Sequence, residues 1–207
     1  MRDEKKAERA GEIEAAAYAV LEKKGYEGLS MLAVARAAKA SNETLYRWYG
    51  DKLGLFEALI ARNTQIVTKA LETGGAAGPE EELRRLGAVL LEMLLGPRAV
   101  ALNRAAAADA SGSLGRALGR MGRETVAPRV AAVMARAIAA GRLGGGTPEE
   151  MAEAWFGLLI GDMQIRRVTG ALEAPDAAAL EARAERALAL LGRVFPGRAM
   201  DGAADKT

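Results

Sequence analysis

The sequence predicts an all-α chain in which a small three-helix unit precedes a larger helical bundle. Three observations predict it. Alanine, leucine, glutamate and arginine dominate while aromatic residues supply only 4% of the 207 positions, a composition that favours helix over strand. Apolar residues recur at spacings of three and four along most of the chain. No stretch alternates with period two for long enough to make a strand.

The elements follow in order. Ile13, Ala16, Ala17, Val20 and Leu21 form one apolar stripe on a first helix expected over 4–24, which Gly25 ends. Ser30 has the chemistry of an N-cap and opens a short helix that buries Met31, Val34, Ala35 and Ala38. Lys39-Ala40 makes a tight turn, and Ser41 caps a third short helix carrying Leu45, Trp48 and Tyr49. Asp51 starts a longer fourth helix with Leu53, Phe56, Leu59, Ile60, Asn63, Ile66, Val67 and Leu71 on its inward side. The run 74–79, Gly-Gly-Ala-Ala-Gly-Pro, is the strongest break. The expected organisation is therefore an N-terminal unit at 1–50, a connecting helix at 51–73 and a C-terminal domain at 74–207. Within the last, helices are expected near 79–95, 97–109, 113–140, 148–169 and 176–195. Pro128 is expected to split the third around Val126. Thr147, followed by Pro148 and Glu150, reads as a capping box at the start of the fourth.

Composition excludes much chemistry. Cysteine and histidine are both absent, which removes disulfides, thiolate or imidazole zinc sites, Cys-His nucleophiles and imidazole triads. A di-iron bundle fails on the same ground, since it needs Glu-x-x-His pairs. Glu80, Glu81 and Glu82, like Glu149, Glu150 and Glu153, suit helix starts better than a carboxylate dyad. The glycines at 112, 115, 119 and 122 follow no strand and lack a phosphate loop's lysine, so they read as structural. No catalytic residue, cofactor or metal is expected. The N-terminus has no apolar signal core, and the longest apolar runs, such as Trp155 to Ile160, are too short to span a bilayer. A cytoplasmic protein without a membrane partner is the expectation.

Net charge is only +2, so a face for nucleic acid must be local. Lys23, Lys24, Arg36, Lys39, Arg47 and Lys52 against Glu27, Glu43 and Asp51 give such an excess between residues 23 and 52. Two short helices joined by a tight turn and held against a longer one make a helix-turn-helix, whose second helix is sized for the major groove. With Leu45 and Tyr49 facing the core at i and i+4, Asn42, Glu43, Thr44, Tyr46 and Arg47 look outward.

The run from Ser30 through Ala35 and Ala38 to Ser41-Asn-Glu-Thr-Leu-Tyr-Arg-Trp-Tyr-Gly-Asp-Lys52-Leu-Gly-Leu-Phe56 resembles the TetR family of bacterial transcriptional regulators over about 45 residues. The family's Thr-Leu-Tyr, its aromatic pair and the following lysine are all in register. The resemblance implies that Thr44, Tyr46 and Lys52 touch phosphates and that Asn42, Glu43 and Arg47 lie near base edges or backbone. It also implies that Ser30 offers a helix N-terminus to a phosphate, with Arg36, Lys39, Ser41 and Trp48 completing the DNA-binding set. Two positions depart from the pattern. Lys39 stands where glycine is usual, at about 1 kcal/mol if the backbone there is left-handed. Glu43 stands where a small neutral residue is commoner, and a carboxylate there repels phosphates unless it accepts from a cytosine amino group.

The stretch from Ala137 through Gly141-Arg-Leu143 to Trp155-Phe-Gly-Leu-Leu-Ile-Gly-Asp162 resembles the AefR-like C-terminal subgroup. The resemblance implies a homodimer joined by the last two long helices, with Trp155, Leu158, Leu159, Asp162, Leu180, Ala184, Ala187, Leu188 and Leu191 at the interface. It implies a cavity for a small, mainly apolar effector, with Met93, Leu94, Met121, Met134, Trp155, Phe156 and Met163 as walls. Arg166 and Arg167 are the arginines that would serve an anionic one. The expected function is a repressor that binds a palindromic double-stranded operator and is released by its effector. The alternatives are a helical small-molecule carrier whose N-terminal unit is structural, and an activator of the same architecture.

Overall fold

The computed structural model describes residues 2–72 and 78–197. The elements are α1 (Arg2–Gly28), α2 (Met31–Ala37), α3 (Asn42–Tyr49), α4 (Lys52–Glu72), α5 (Pro79–Leu95), α6 (Pro97–Ala108), α7 (Ser113–Leu118), a π-helical turn (Gly119–Arg123), α8 (Glu124–Ala139), α9 (Pro148–Ile160), α10 (Met163–Thr169) and α11 (Ala177–Val194). Among the described residues there is no strand, and one isolated bridge pairs Leu143 with Pro196. Most of the expected break at 74–79 lies outside the described residues, but Gly78 at φ 88 and Pro79 do open α5.

The caps read from the sequence at Ser30, Ser41 and Thr147 form, and Asp176 adds another. Ser30, Ser41 and Asp176 each accept a backbone N–H three residues on, and Thr147 and Glu150 close the capping box reciprocally. Gly25, at φ 66 and ψ −176, breaks helical geometry within α1.

Three expectations are corrected. The helix over 113–140 is interrupted at Gly119–Arg123, upstream of Pro128, which sits inside α8. Two glycines in five residues give that turn the backbone freedom to widen. The helix over 148–169 is cut at Gly161, whose φ of 50 and ψ of −130 are not helical; Arg183 Nε then donates to the Leu159 carbonyl at 2.8 Å. Ile66, expected inward, is 48% exposed. The buried stripe of α4 runs through Leu59, Ile60, Asn63, Thr64 and Val67 instead, following the 3.6-residue period.

Two apolar clusters hold the chain together. One joins Ile13, Ala17 and Leu21 of α1, Val34 of α2 and Leu45 of α3 to Leu55, Phe56, Leu59 and Ile60 of α4, and extends onto Leu102 of α6 and Leu114 of α7. The other centres on Leu86, Leu90 and Leu91 of α5, Met134 of α8, Trp155 and Leu159 of α9, and Ala184 and Leu191 of α11, with Val67 of α4. The clusters meet on α4 between Ile60 and Val67, so that helix is mechanically part of both. Gly87 lets α5 approach α11: a Cβ there would lie 2.9 Å from the Ala184 Cβ.

No single helix among the described residues is long and apolar enough to cross a membrane; only the pair α5 and α6, bent by 57°, passes on length and composition together. Its leucines lie in the same two clusters.

Candidate nucleic-acid interface

Helix α3 presents a face. Leu45 is completely buried beneath it, whereas Tyr46 is 51% exposed and the Arg47 and Glu43 side chains are more open still. Ser41, Asn42 and Glu43 at its start are exposed, as are Ser30, Arg36 and Lys39 on the preceding helix and turn. Arg47 stands 3.9 Å from Glu43, a loose, solvated i,i+4 pair of little energetic weight. A phosphate can therefore capture its guanidinium at small cost.

Three of the expected contact residues are less free. Thr44 is half-buried, and its hydroxyl shares a 2.8 Å hydrogen bond with Ser41 Oγ, which also accepts from the Thr44 N–H at 3.0 Å. Trp48 is half-buried against the first cluster. Lys52 holds its ammonium 3.8 Å from the centre of the Tyr26 ring, a cation–π contact that keeps the charge close to the framework.

The turn is the sequence's least ordinary feature. Lys39 has φ 50, the left-handed conformation its side chain disfavours. Its N–H reaches the Arg36 carbonyl at 3.3 Å and the next N–H, of Ala40, reaches Ala35 at 2.9 Å, closing a Schellman motif. Arg9 of α1 then donates one guanidinium nitrogen to the carbonyls of Ala38 at 3.0 Å and Lys39 at 2.7 Å. Sequence reasoning missed Arg9, because nothing local links it to a turn 30 residues away.

Behind this face, Tyr18 donates to the Leu59 carbonyl at 2.8 Å, fastening α1 to α4. Glu14 lies 3.4 Å from Arg62; burial raises its pKa and the Arg62 and Arg98 charges oppose that rise. Tyr49 faces inward as expected, and its hydroxyl is buried without a hydrogen-bond partner among the described residues. Burial first, then Glu14, pushes its pKa up to about 12 against the pull of Arg62.

A cavity of about 270 Å³ lies where α4, α5, α6, α10 and the π turn converge. Of the expected walls, Met93, Leu94 and Phe156 line it. Met134 and Trp155 are wholly buried in the second cluster, while Met121 and Met163 pack against the clusters without reaching the cavity. Arg166 pairs with Asp162 at 3.8 Å and Arg167 donates to the carbonyls of Leu95 and Leu172, so neither serves the cavity. The arginine that does is Arg123, 5.1 Å from the Phe156 ring. The polar lining was also missed: Asn63, Thr64, Asn103 and Gln164. Asn63 is 7% exposed and, among the described residues, its amide donates only to the Met93 thioether, a weak acceptor.

Residues 81–194, more than half of the chain, match the family model described as AefR-like transcriptional repressor, C-terminal domain, and residues 13–59 match that of the bacterial regulatory proteins, tetR family. The chain belongs to the TetR family. Solved structures agree. A protein from Mesorhizobium loti MAFF303099 described as a TetR-family transcriptional regulator is 27% identical, with a TM-score of 0.76 over 93% of this chain and 98% of that one. A TetR regulator from Agrobacterium tumefaciens is 27% identical, with a TM-score of 0.74 over 92% and 95%. The flavonoid-responsive regulator FrrA is 26% identical, with a TM-score of 0.70 over 93% and 100%. No curated protein gives a significant match. Membership makes this chain a DNA-binding transcriptional regulator and not an enzyme.

Most of the residues expected at a dimer interface face inward in the protomer. Trp155, Leu159, Leu180, Ala184, Ala187 and Leu191 are buried inside the protomer, where α11 packs on α5 and α9 packs on α8 and α11. Leu158 and Leu188 are partly buried against the same cluster, and Asp162 is exposed. An apolar stripe on a helix says that something covers it, not whether that cover is another helix of the same chain.

Proposed function

We propose that this TetR-family regulator is a cytoplasmic homodimeric repressor that binds a palindromic operator through α3 and leaves it when a compact, mainly apolar effector fills the cavity beside α4. The observation that carries the reading is the exposed Tyr46 and Arg47 on a helix whose Leu45 is fully buried. Two-fold symmetry sets two such helices about one turn of duplex, or a multiple of it, apart. For the dimer, the side chains left open on α10 and α11, Ile165 at 61% and Val194 at 59%, together with Leu158, offer the apolar surface that the buried stripe does not. The polar lining supports an effector bearing oxygen groups, which would satisfy Asn63, Thr64, Asn103 and Gln164. FrrA's response to flavonoids makes a flavonoid the first compound to try.

Selection of duplexes from a random pool tests the reading, followed by titration of a flavonoid into the selected complex. The expected outcome is an inverted-repeat site bound by two copies and weakened by ligand. Selection of a site without two-fold symmetry would refute the dimeric operator reading.

A further inference from the structure

We infer that the π turn Gly119–Arg123 is the wall that senses cavity occupancy and passes it to the DNA-binding unit through the Arg120–Glu57 ion pair. The inference rests on the proposed effector-released repressor. Three observations converge on this turn. Gly119, Gly122 and Arg123 all line the cavity. Arg120, in the same five residues, donates to Glu57 Oε1 of α4 at 2.8 Å. Glu57 lies one residue from Phe56, on the part of α4 that shares its core with Leu45 of α3.

A π turn is also a suitable element for two states. It holds one more residue per hydrogen-bonded ring than an α-helix: the Glu124 N–H reaches back to the Gly119 carbonyl, five residues away. Returning to α geometry would rotate and shift α7 against α8, and glycines at 119 and 122 lower the resistance to that change. A ligand that presses on Gly122 and Arg123 therefore biases the turn, and Arg120 moves with it. The same turn separates the two apolar clusters along the chain, with α7 in one and α8 in the other. Arg123 is held over the Phe156 ring and pairs with no carboxylate among the described residues, so it is free to follow a ligand.

The test needs no effector. A Cβ built on Gly122 meets nothing within 4 Å, so Gly122→Leu places a tethered apolar group at the cavity wall. Operator affinity is measured on the duplex selected by the wild-type protein, alongside thermal melts and sedimentation of each variant. Gly122→Leu is expected to weaken operator binding at least tenfold with the fold and association state unchanged. Gly122→Leu in a Glu57→Ala background is expected to bind within threefold of Glu57→Ala alone, because position 57 then has no side-chain acceptor for Arg120. Gly115→Leu, on α7 away from the cavity and equally unobstructed, should bind as wild type. If leucine unfolds the protein, the more adaptable Gly122→Met replaces it. A Gly122 variant that folds and binds operator like wild type overturns the inference, as does a loss that persists undiminished without Glu57. Either result leaves the regulator reading intact, which fails only if the wild-type protein selects no duplex.

Discussion

Lys39 offers a quantitative test of how the helix-turn-helix is held. Its φ of 50 places an L-residue in the left-handed region, at a cost of roughly 1–2 kcal/mol. Glycine escapes that cost but adds unfolded-state entropy worth about 0.4–1 kcal/mol. The difference predicts that Lys39→Gly is more stable than Lys39→Ala by about 0.5–1 kcal/mol. Comparing these two variants cancels the lost charge and aliphatic stem, which both share. For a chain of this length the gain amounts to about 2 °C in Tm, within reach of calorimetry or urea titration. Equal stability of the two variants, or a more stable alanine, would refute the reasoning, since it would mean the turn is not left-handed in solution. The same pair carries a second readout: if Lys39 touches a phosphate, both variants lose about one unit of salt slope per subunit in operator binding.

Other predictions concern the framework. Arg9→Ala removes the clamp on the Ala38 and Lys39 carbonyls and should cost about 1 kcal/mol in urea denaturation, its partial exposure having been allowed for. Gly87→Val forces side-chain atoms against Ala184 and Leu159 and should destabilise by about 1–3 kcal/mol through overpacking, whereas the exposed Gly157→Ala should not. Arg136→Ala strips the partner from Glu82, which is 3% exposed, and a loss of about 2 kcal/mol is expected, below that of a fully buried pair because Arg136 itself is half-exposed. Tyr49 supplies a pH test. Its pKa is raised in the folded state, so the neutral hydroxyl is favoured there, and the associated stability is complete below the ordinary value of 10 and lost as pH rises from 10 through about 12. Wild type should therefore lose stability relative to Tyr49→Phe across that window and not below it.

Much of the fold was legible because it is local. Ser30, Ser41 and Thr147 cap helices by contacts within four residues, and the 3.6-residue period of α1 marks its buried side without knowledge of the partner. The exposed helix α3 was legible for the same reason, since its few residues sit in one continuous run. Features that depend on distant packing were not. Arg9 reaches the turn across 30 positions. Asn63 reads as one more inward position on α4 until α5 brings Met93 beside it. The stripes on α9 and α11 announce burial but not its agent, which proved to be chiefly α8 and α11 for α9 and α5 for α11. The glycines at 119 and 122 were visible, yet no sequence rule distinguishes a glycine that loosens a helix from one that shapes a cavity.

The measurement closest to the central claim is operator affinity against salt concentration for wild type, Tyr46→Ala and Arg47→Ala, on the selected duplex. Arg47→Ala is expected to weaken binding and, if it contacts a phosphate, to reduce the slope of log affinity against log salt by about one unit per subunit, while melts stay unchanged because the side chain is exposed. Tyr46→Ala should likewise bind more weakly without unfolding. Variants of both residues that fold normally and bind the duplex with wild-type affinity and slope would contradict a DNA-reading role for α3.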